Sequence, residues 1–366
     1  MPLINRCGGG GGTPQLCGQV ENFKVLPGTT ALTAALSWTA PSPDEDNSFV
    51  GARIVRKIGS APTGISDGTV VYEGTALTYT DAGLTAGTTY YYRAFAYNAK
   101  KRYQTSKRTV SLVATTLTMG ASLNDSTWAQ ISAVSEAGYA PLYWAIGDTK
   151  SITLTGAASD TATWQSTTLD VFIIGFNHNA SVEGSNRTHF HIGKQNDKQI
   201  GLCAGTSSTT GQPPHTLTQD EVFAVLPTDL KSALKNTTKY TAKYKNSSES
   251  TISSASVSIT NLGVIEVFGT VSEQPTLTVL AGKQEQYEYY AAGNSTLHFL
   301  SDNHSWSASV GDKNILGYVR LRDELPLRSA TTVKKGYYDI NSDGGCKKTT
   351  SDGTGYGYIQ APIFFV

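Results

Sequence analysis

Residues Leu84 to Tyr97 read Leu-Thr-Ala-Gly-Thr-Thr-Tyr-Tyr-Tyr-Arg-Ala-Phe-Ala-Tyr, and this stretch decides the fold of the first third of the chain. A turn signal at Gly87 leads directly into β-branched and aromatic residues, which is typical of a strand entered through a corner. Further runs of this kind, each bounded by turn residues, are Val20–Val25, Ala34–Trp38, Ala52–Arg56 and Thr69–Tyr72. Their spacing of about 8–12 residues predicts an antiparallel all-β sandwich over residues 19–117.

The Leu-x-x-Gly-x-x-Tyr pattern from Leu84 to Tyr90 resembles the corner motif of fibronectin type III domains. Trp38 and the Thr115-Thr116 pair agree with that family in order, so the resemblance covers the whole predicted sandwich. It implies a core position for Trp38 and a tyrosine hydroxyl bonded to the backbone upstream of it. The fold usually serves as a spacer or docking module, so it says little about function.

The charge balance of the 366-residue chain limits its partners. Lys and Arg number 29, Asp and Glu also number 29, and charged residues make up only 16% of the sequence. Nucleic-acid affinity depends largely on Lys and Arg that neutralise phosphates, so we expect no nucleic-acid partner. No window approaches the 18 or more apolar residues of a membrane span, and no signal peptide follows Met1, so we expect neither membrane insertion nor secretion.

The first 18 residues contain five consecutive glycines and few residues to bury, which predicts a flexible arm over 1–18. The four cysteines, Cys7, Cys17, Cys203 and Cys346, show neither zinc-ligand spacing nor a disulfide framework. Cys7 and Cys17 flank the glycine run, and they either stay free or pair with each other.

The remaining residues, 118–366, show a mixed pattern that predicts an α+β domain. Helices are expected within Asp125–Gly138, at Val222–Leu226 after a capping box at Thr218–Glu221, at Pro227–Leu234 and at Gln284–Ala292. Strands are expected at Lys150–Leu154, Leu169–Phe176, His189–Ile192, Val264–Phe268 and Ile359–Val366. The Ser-rich stretch Ser247–Ser258 is either a surface loop or part of a thin strand pair.

Eight motifs of this second half resemble, in order, a domain of tail proteins from phages and prophages of Gram-positive gut bacteria. They include the stretches Trp128–Gly138, Asp170–Asn179, Leu327–Ser329 and Ala361–Val366. That domain is similar to the C-type-lectin-like fold of formylglycine-generating enzymes and of variable proteins diversified by retroelements, such as a phage tropism determinant. The resemblance implies a C-type-lectin-like fold for residues 118–366, and also a homotrimer.

Two motifs could carry chemistry, and each has a plain alternative. Asp339, Asn341 and Asp343 match the start of a calcium loop, but Thr350 stands where its last carboxylate belongs, so an Asp-Gly hairpin turn is the alternative. His189 and His191 share a face of a strand near His178, which suits either zinc or packed, hydrogen-bonded histidines. Formylglycine chemistry needs a cysteine pair near the chain end, where only Cys346 lies, so we expect neither an enzyme nor a cofactor.

Tyrosines and lysines are crowded into the last forty residues, among Gly, Ser and Asn. Binding surfaces favour this mixture, because Tyr offers a large contact area at a low entropic cost. The alternative is that about half of these tyrosines only pack within a sheet. The candidate receptor-binding residues are Lys334, Lys335, Tyr337, Tyr338, Asp339, Lys347, Lys348, Thr349, Tyr356 and Tyr358.

These features together predict a receptor-binding protein at a phage tail tip or fibre, assembled in the bacterial cytoplasm. The arm would attach to other tail or baseplate proteins, the sandwich would act as a spacer, and loops around 331–358 would bind a host-surface glycan or protein. The alternatives are a structural decoration or baseplate protein and a bacterial surface adhesin.

Overall fold

The computed structural model divides the chain into two compact units, Met1–Thr118 and Met119–Val366, which are described separately. Its described residues are 17–41, 49–105, 109–114, 116–159, 162–195, 198–203, 219–244, 250–269, 280, 282–294, 298–301, 318–328, 333–340, 346–350, 358–359 and 362–366. The glycine run of the predicted arm lies outside this set. Cys17, which the sequence assigned to the arm, is instead a thiol buried in the core of the first unit.

The first unit is an all-β sandwich of seven strands. They are β1 (Glu21–Pro27), β2 (Ala34–Thr39), β3 (Phe49–Ile58), β4 (Thr69–Gly74), β5 (Thr78–Asp81), β6 (Thr89–Asn98) and β7 (Thr109–Val113). One sheet has the order β1-β2-β5 and the other β4-β3-β6-β7, and every pairing is antiparallel. All five strands predicted from the sequence are therefore confirmed.

Successive side chains of these strands alternate between the two faces of a sheet, and those that face inward form the sandwich core. Trp38 is only 3% exposed and packs against Phe23 and Tyr72, as its predicted core position requires. The corner is also confirmed, because the hydroxyl of Tyr90 accepts a hydrogen bond from the backbone N–H of Thr85 at 3.0 Å.

Replacing Tyr90 with phenylalanine is expected to lower the free energy of unfolding of this unit by about 0.5–1.5 kcal/mol, the net value of one hydrogen bond. Chemical denaturation of the full chain, followed by circular dichroism, measures the change. The matched control is Tyr91→Phe, the same substitution at the next residue of the strand, where the side chain is half-buried. Equal stability of the two variants would show that the corner bond contributes nothing.

The second unit combines short helices with many strands. The helices are α1 (Trp128–Glu136), α2 (Ala140–Tyr143), α3 (Ala180–Glu183), α4 (Gln219–Val225), α5 (Thr228–Ala233), α6 (Val264–Phe268) and α7 (Glu288–Ala291). The strands are β8 (Thr149–Ser159), β9 (Ala162–Phe176), β10 (Thr188–Gln195), β11 (Lys198–Cys203), β12 (Thr237–Tyr244), β13 (Ser250–Val257), β14 (Ile259–Asn261), β15 (His298–Ser301), β16 (Tyr318–Arg328), β17 (Val333–Ile340), β18 (Cys346–Thr350), β19 (Tyr358–Ile359) and β20 (Pro362–Phe365). Within the described ranges, no helix is both long and apolar enough to cross a bilayer.

Strand β10 lies at the centre of the main sheet of this unit. It pairs with β9, β11 and β20, and β20 pairs on its other side with β14. The backbone of Val366, beyond β20, exchanges two further hydrogen bonds with Thr188 at 2.9 and 3.0 Å. The last residues of the sequence are therefore fully integrated into the core.

Helix α1 packs its apolar face against this sheet. It begins at a capping box in which Thr127 Oγ1 accepts from the Gln130 backbone N–H and the Gln130 side chain accepts from that of Thr127. Trp128, at its first turn, meets Phe190 of β10 and Phe364 of β20 edge to face at 5.5 and 5.7 Å. The helix predicted within Asp125–Gly138 is thus confirmed.

Several predicted elements differ from the structure. The apolar run Val264–Phe268 forms helix α6, because the Glu266 carboxylate accepts the backbone N–H of Gly263 and caps the first turn. The predicted strand Ile359–Val366 is two strands in different sheets, β19 beside β16 and β20 beside β10. Helix α7 covers only part of Gln284–Ala292, and the Ser-rich stretch forms β13, which pairs with β12. The predicted cap Thr218 lies outside the described residues.

Candidate functional site

The residues predicted to bind a receptor fall on one sheet, whose strand order is β18-β17-β16-β19. Lys334, Lys335, Tyr337, Tyr338 and Asp339 lie on β17, Lys347, Lys348 and Thr349 on β18, and Tyr358 on β19, while Tyr356 is outside the described residues. The described candidates therefore lie on strands, whereas the prediction placed the binding surface on loops around 331–358.

The register of these strands separates the candidates into two faces. Tyr337 is opposite Thr349 and Asp339 is opposite Lys347, whereas Tyr338 is opposite Lys348. Successive residues of a strand alternate between faces, so one face, here called the polar face, holds the positions of Lys335, Tyr337, Asp339, Lys347, Thr349 and Tyr358. The other face holds Lys334, Tyr338 and Lys348 together with the apolar positions Val319, Leu325, Leu327 and Ile340.

The structure tests only part of the calcium-loop prediction. Ile340, the last residue of β17, pairs with Cys346, the first residue of β18, so 341–345 connect an antiparallel hairpin. This pairing agrees with the hairpin alternative. Asn341 and Asp343 themselves lie outside the described residues, so the calcium alternative stays a prediction.

Strand β16 is irregular where it passes the core. Between Arg320 and Glu324 its register against β17 shifts, and the intervening Leu321 and Asp323 are buried. The Asp323 carboxylate accepts the backbone N–H groups of Ala242 and Val264, both at 2.8 Å. The sheet that carries the candidate residues is thereby tied to β12 and to the start of α6.

Arg322 provides a second contact between β16 and the core, because its guanidinium forms a bidentate ion pair with the Glu266 carboxylate. Nη1 lies 2.5 Å from Oε2, Nη2 lies 2.7 Å from Oε1, and the two side chains are 6% and 0% exposed. Arg322 also donates to the backbone carbonyls of Tyr240 and Asn261. Such planar, two-point pairing fixes orientation as well as charge.

Glu266 belongs to a larger group, here called the buried ion cluster: Glu183, Lys239, Glu266, Tyr287 and Arg322. The ammonium of Lys239 donates to Glu183 Oε2 at 2.5 Å, to Glu266 Oε1 at 2.9 Å and to the Tyr287 hydroxyl at 2.9 Å. These three acceptors match the three N–H groups of an ammonium. The cluster thus joins β12, α3, α6, β16 and the residue before α7.

The histidines with zinc-like spacing are packed next to this cluster. His189 Nδ1 lies 2.9 Å from the Tyr287 hydroxyl, and His178 bridges Glu183 Oε1 and the backbone carbonyl of Glu285. His191, on the same face of β10, lies 2.5 Å from the Tyr290 hydroxyl. The histidines are packed and hydrogen-bonded, as one of the two alternatives describes, and the zinc alternative stays a prediction.

The burial and the neighbours of Glu266, His189 and His191 determine their pKa values and therefore their charges. Burial would raise the pKa of Glu266, but the cations of Arg322 and Lys239 outweigh it and hold the pKa well below its usual range. Burial lowers the pKa of His191 to about 3, and burial together with the charge of Lys239 lowers that of His189. Both histidines are therefore neutral, and each can accept a hydrogen bond from the hydroxyl of its neighbouring neutral tyrosine.

Sequence reasoning missed every member of the buried ion cluster. Lys239 and Glu266 each occur inside apolar or β-branched runs, where a charged residue breaks the hydrophobic alternation. Charged residues are almost never fully buried unless paired, so such interruptions could have indicated partners. Which carboxylate meets which cation depends on tertiary packing, and no local pattern encodes it.

Comparison with known proteins gives a fold likeness only. No family model and no curated protein matches the chain. The fibronectin type III domain of human fibronectin type III domain containing protein 3 is 20% identical, with 28% of this chain and 86% of that chain covered and a TM-score of 0.22. The twitchin kinase region of C. elegans is 15% identical, with 48% and 31% covered and a TM-score of 0.25. These likenesses are too low to support an argument about this chain, and the description of the first unit as an all-β sandwich rests on its own strand pairing.

Proposed function

We propose that this protein is a receptor-binding protein of a phage tail tip or fibre, and that it attaches the virion to a host-surface molecule through its second unit. One observation carries the proposal: strands β17 and β18 hold the Tyr and Lys candidates side by side, next to a strand that Arg322 and Asp323 fix to the core. Recognition residues are typically presented in this way by a rigid scaffold.

The polar face is the part of the sheet proposed to contact the receptor. It combines aromatic, cationic and hydroxyl positions, whereas the opposite face mixes two lysines and a tyrosine with the apolar positions Val319, Leu325, Leu327 and Ile340, which favour burial. The proposal includes a C-type-lectin-like fold for the second unit and attachment to the tail through the N-terminal arm that precedes the buried Cys17. Several copies in one particle, a trimer for example, would strengthen weak individual contacts through avidity.

The direct test is binding of the purified full chain to cells of the host strain. We expect the chain to bind these cells and to compete with phage adsorption. The double variant Tyr337→Ala/Lys347→Ala should weaken binding at least about tenfold, since removal of a central Tyr contact commonly costs 1–2 kcal/mol or more. The matched control is Tyr91→Ala/Lys24→Ala, which removes the same residue types from the first unit.

Three outcomes would contradict the proposal at different points. Failure of the full chain to bind any host cell, while it is present in purified virions, would favour the structural decoration or baseplate role. Binding that survives Tyr337→Ala/Lys347→Ala unchanged would keep the receptor function and reject the polar face. Absence of the protein from purified virions, together with its presence on the bacterial surface, would favour the adhesin.

A further inference from the structure

The histidines beside the buried ion cluster have the geometry of a metal site. The ligand atoms of His178, Glu183 and His189 all lie within 4.8 Å of one another. His178 Nδ1 is 3.2 Å from Glu183 Oε1, and His189 Nδ1 is 3.7 Å from Glu183 Oε2. Ligands of a tetrahedral Zn²⁺, each about 2.0–2.1 Å from the ion, are separated by about 3.3 Å, which is close to both distances.

The protein's own ammonium group lies beside this position, on the side of Glu183. Lys239 Nζ lies 2.5 Å from Glu183 Oε2 and 2.9 Å from the Tyr287 hydroxyl that contacts His189. The aromatic rings of Tyr287 and Phe365 lie 5.2 and 5.1 Å from the ammonium, so their π faces add to a cation-favouring environment. The side chain is 3% exposed and its three donors are all used.

We propose that His178, Glu183 and His189 form an internal cation site whose resident cation is the Lys239 ammonium. The same three groups bind a divalent transition metal of the Zn²⁺ or Co²⁺ type once that ammonium is removed. The proposal is independent of the receptor-binding function.

The ligands are already oriented for a metal. His178 Nε2 lies 2.9 Å from the backbone carbonyl of Glu285, the outer contact that fixes the tautomer of a metal-binding histidine. The Tyr287 hydroxyl donates to His189 Nδ1, because Lys239 already donates to its oxygen, so Nδ1 is unprotonated and becomes a metal ligand once the hydroxyl turns away. Glu266 Oε1, which Lys239 would release, is a candidate fourth ligand for the ion, directly or through a bound water.

The experiment compares the untagged full chain with Lys239→Ala and Lys239→Met. The alanine variant removes the charge and leaves space for an ion, whereas methionine removes the charge and fills the space. We expect Lys239→Ala to bind one Co²⁺ per chain with the visible absorption of a tetrahedral site. Zn²⁺ at a hundredfold excess over its Kd should raise the Tm of that variant by about 5–10 °C.

The wild type and Lys239→Met should show neither effect, and adding His178→Gln to Lys239→Ala should abolish both. If Lys239→Ala does not fold alone, refolding in Zn²⁺, but not in Mg²⁺ or a chelator, is the expected result. The proposal is overturned if the wild type binds Co²⁺ as tightly as Lys239→Ala. It is also overturned if Lys239→Ala folds without binding Co²⁺, or if Zn²⁺ fails to restore an unfolded variant.

Discussion

Replacement of Glu266 with glutamine is expected to lower the free energy of unfolding of the second unit by about 3–5 kcal/mol, the cost of breaking a buried ion pair. The carboxylate is fully buried between two cations, accepting from both Arg322 and Lys239. An amide cannot balance either charge, and its NH₂ group would face donors. Denaturation of the full chain in urea, followed by circular dichroism, measures the loss.

Acid should reveal the same interaction. Because the folded-state pKa of Glu266 lies well below its ordinary value of 4.5, its stabilising contribution is complete above that pH and is lost as the pH falls towards the folded-state pKa. The stability difference between wild type and Glu266→Gln should therefore shrink below about pH 4.5.

The matched control is Glu136→Gln, the same substitution in an exposed ion pair. Glu136 pairs with Lys235, and its side chain is 51% exposed. An exposed pair contributes about 0–1 kcal/mol, so this variant should be close to wild type. Similar losses for the two variants would mean that the buried ion cluster does not act as a unit.

Replacement of Trp128 with alanine is expected to destabilise the second unit by about 3–5 kcal/mol through lost contacts and a residual cavity. Trp128 is 2% exposed and is among the largest fully buried side chains among the described residues. It is the main contact of α1 with the aromatic pair Phe190 and Phe364, which stack at 5.1 Å. Scanning calorimetry of the full chain should show a lower Tm for this unit alone.

The control for this prediction is Leu142→Ala, in the helix that follows α1, because Leu142 is 50% exposed and should cost less than about 0.5 kcal/mol. A loss below about 1 kcal/mol for Trp128→Ala would mean that the neighbouring rings close over the cavity.

The sequence predicted best where structure depends on local pattern. The sandwich strands follow from short runs bounded by turn residues, and α1 follows from its capping pair and apolar spacing, so both could be predicted. Residues Val264–Phe268 could not, because a β-branched run suggests a strand until Glu266 is known to cap the first turn and to pair with the distant Arg322 and Lys239. At these residues tertiary contacts override the local propensity for a strand.

The candidate site could likewise be predicted only in part. Tyr and Lys enrichment near the end of the chain pointed to β17 and β18, although only the register shows that Tyr337 and Tyr338 lie on opposite faces. The buried ion cluster draws Lys239, Glu183 and Arg322 from segments far apart in sequence, and such a meeting requires the folded chain.

The central position of β20 has a consequence for how the protein folds. Phe364 pairs with Phe190 of β10 on one side and Ile259 of β14 on the other, so its neighbours come from distant parts of the sequence. Long-range pairings close large loops before they gain stabilising contacts, and they slow folding. The second unit should accordingly refold more slowly than the sandwich, and the gap left for β20 between β10 and β14 is where partly folded molecules would expose unpaired edges and aggregate.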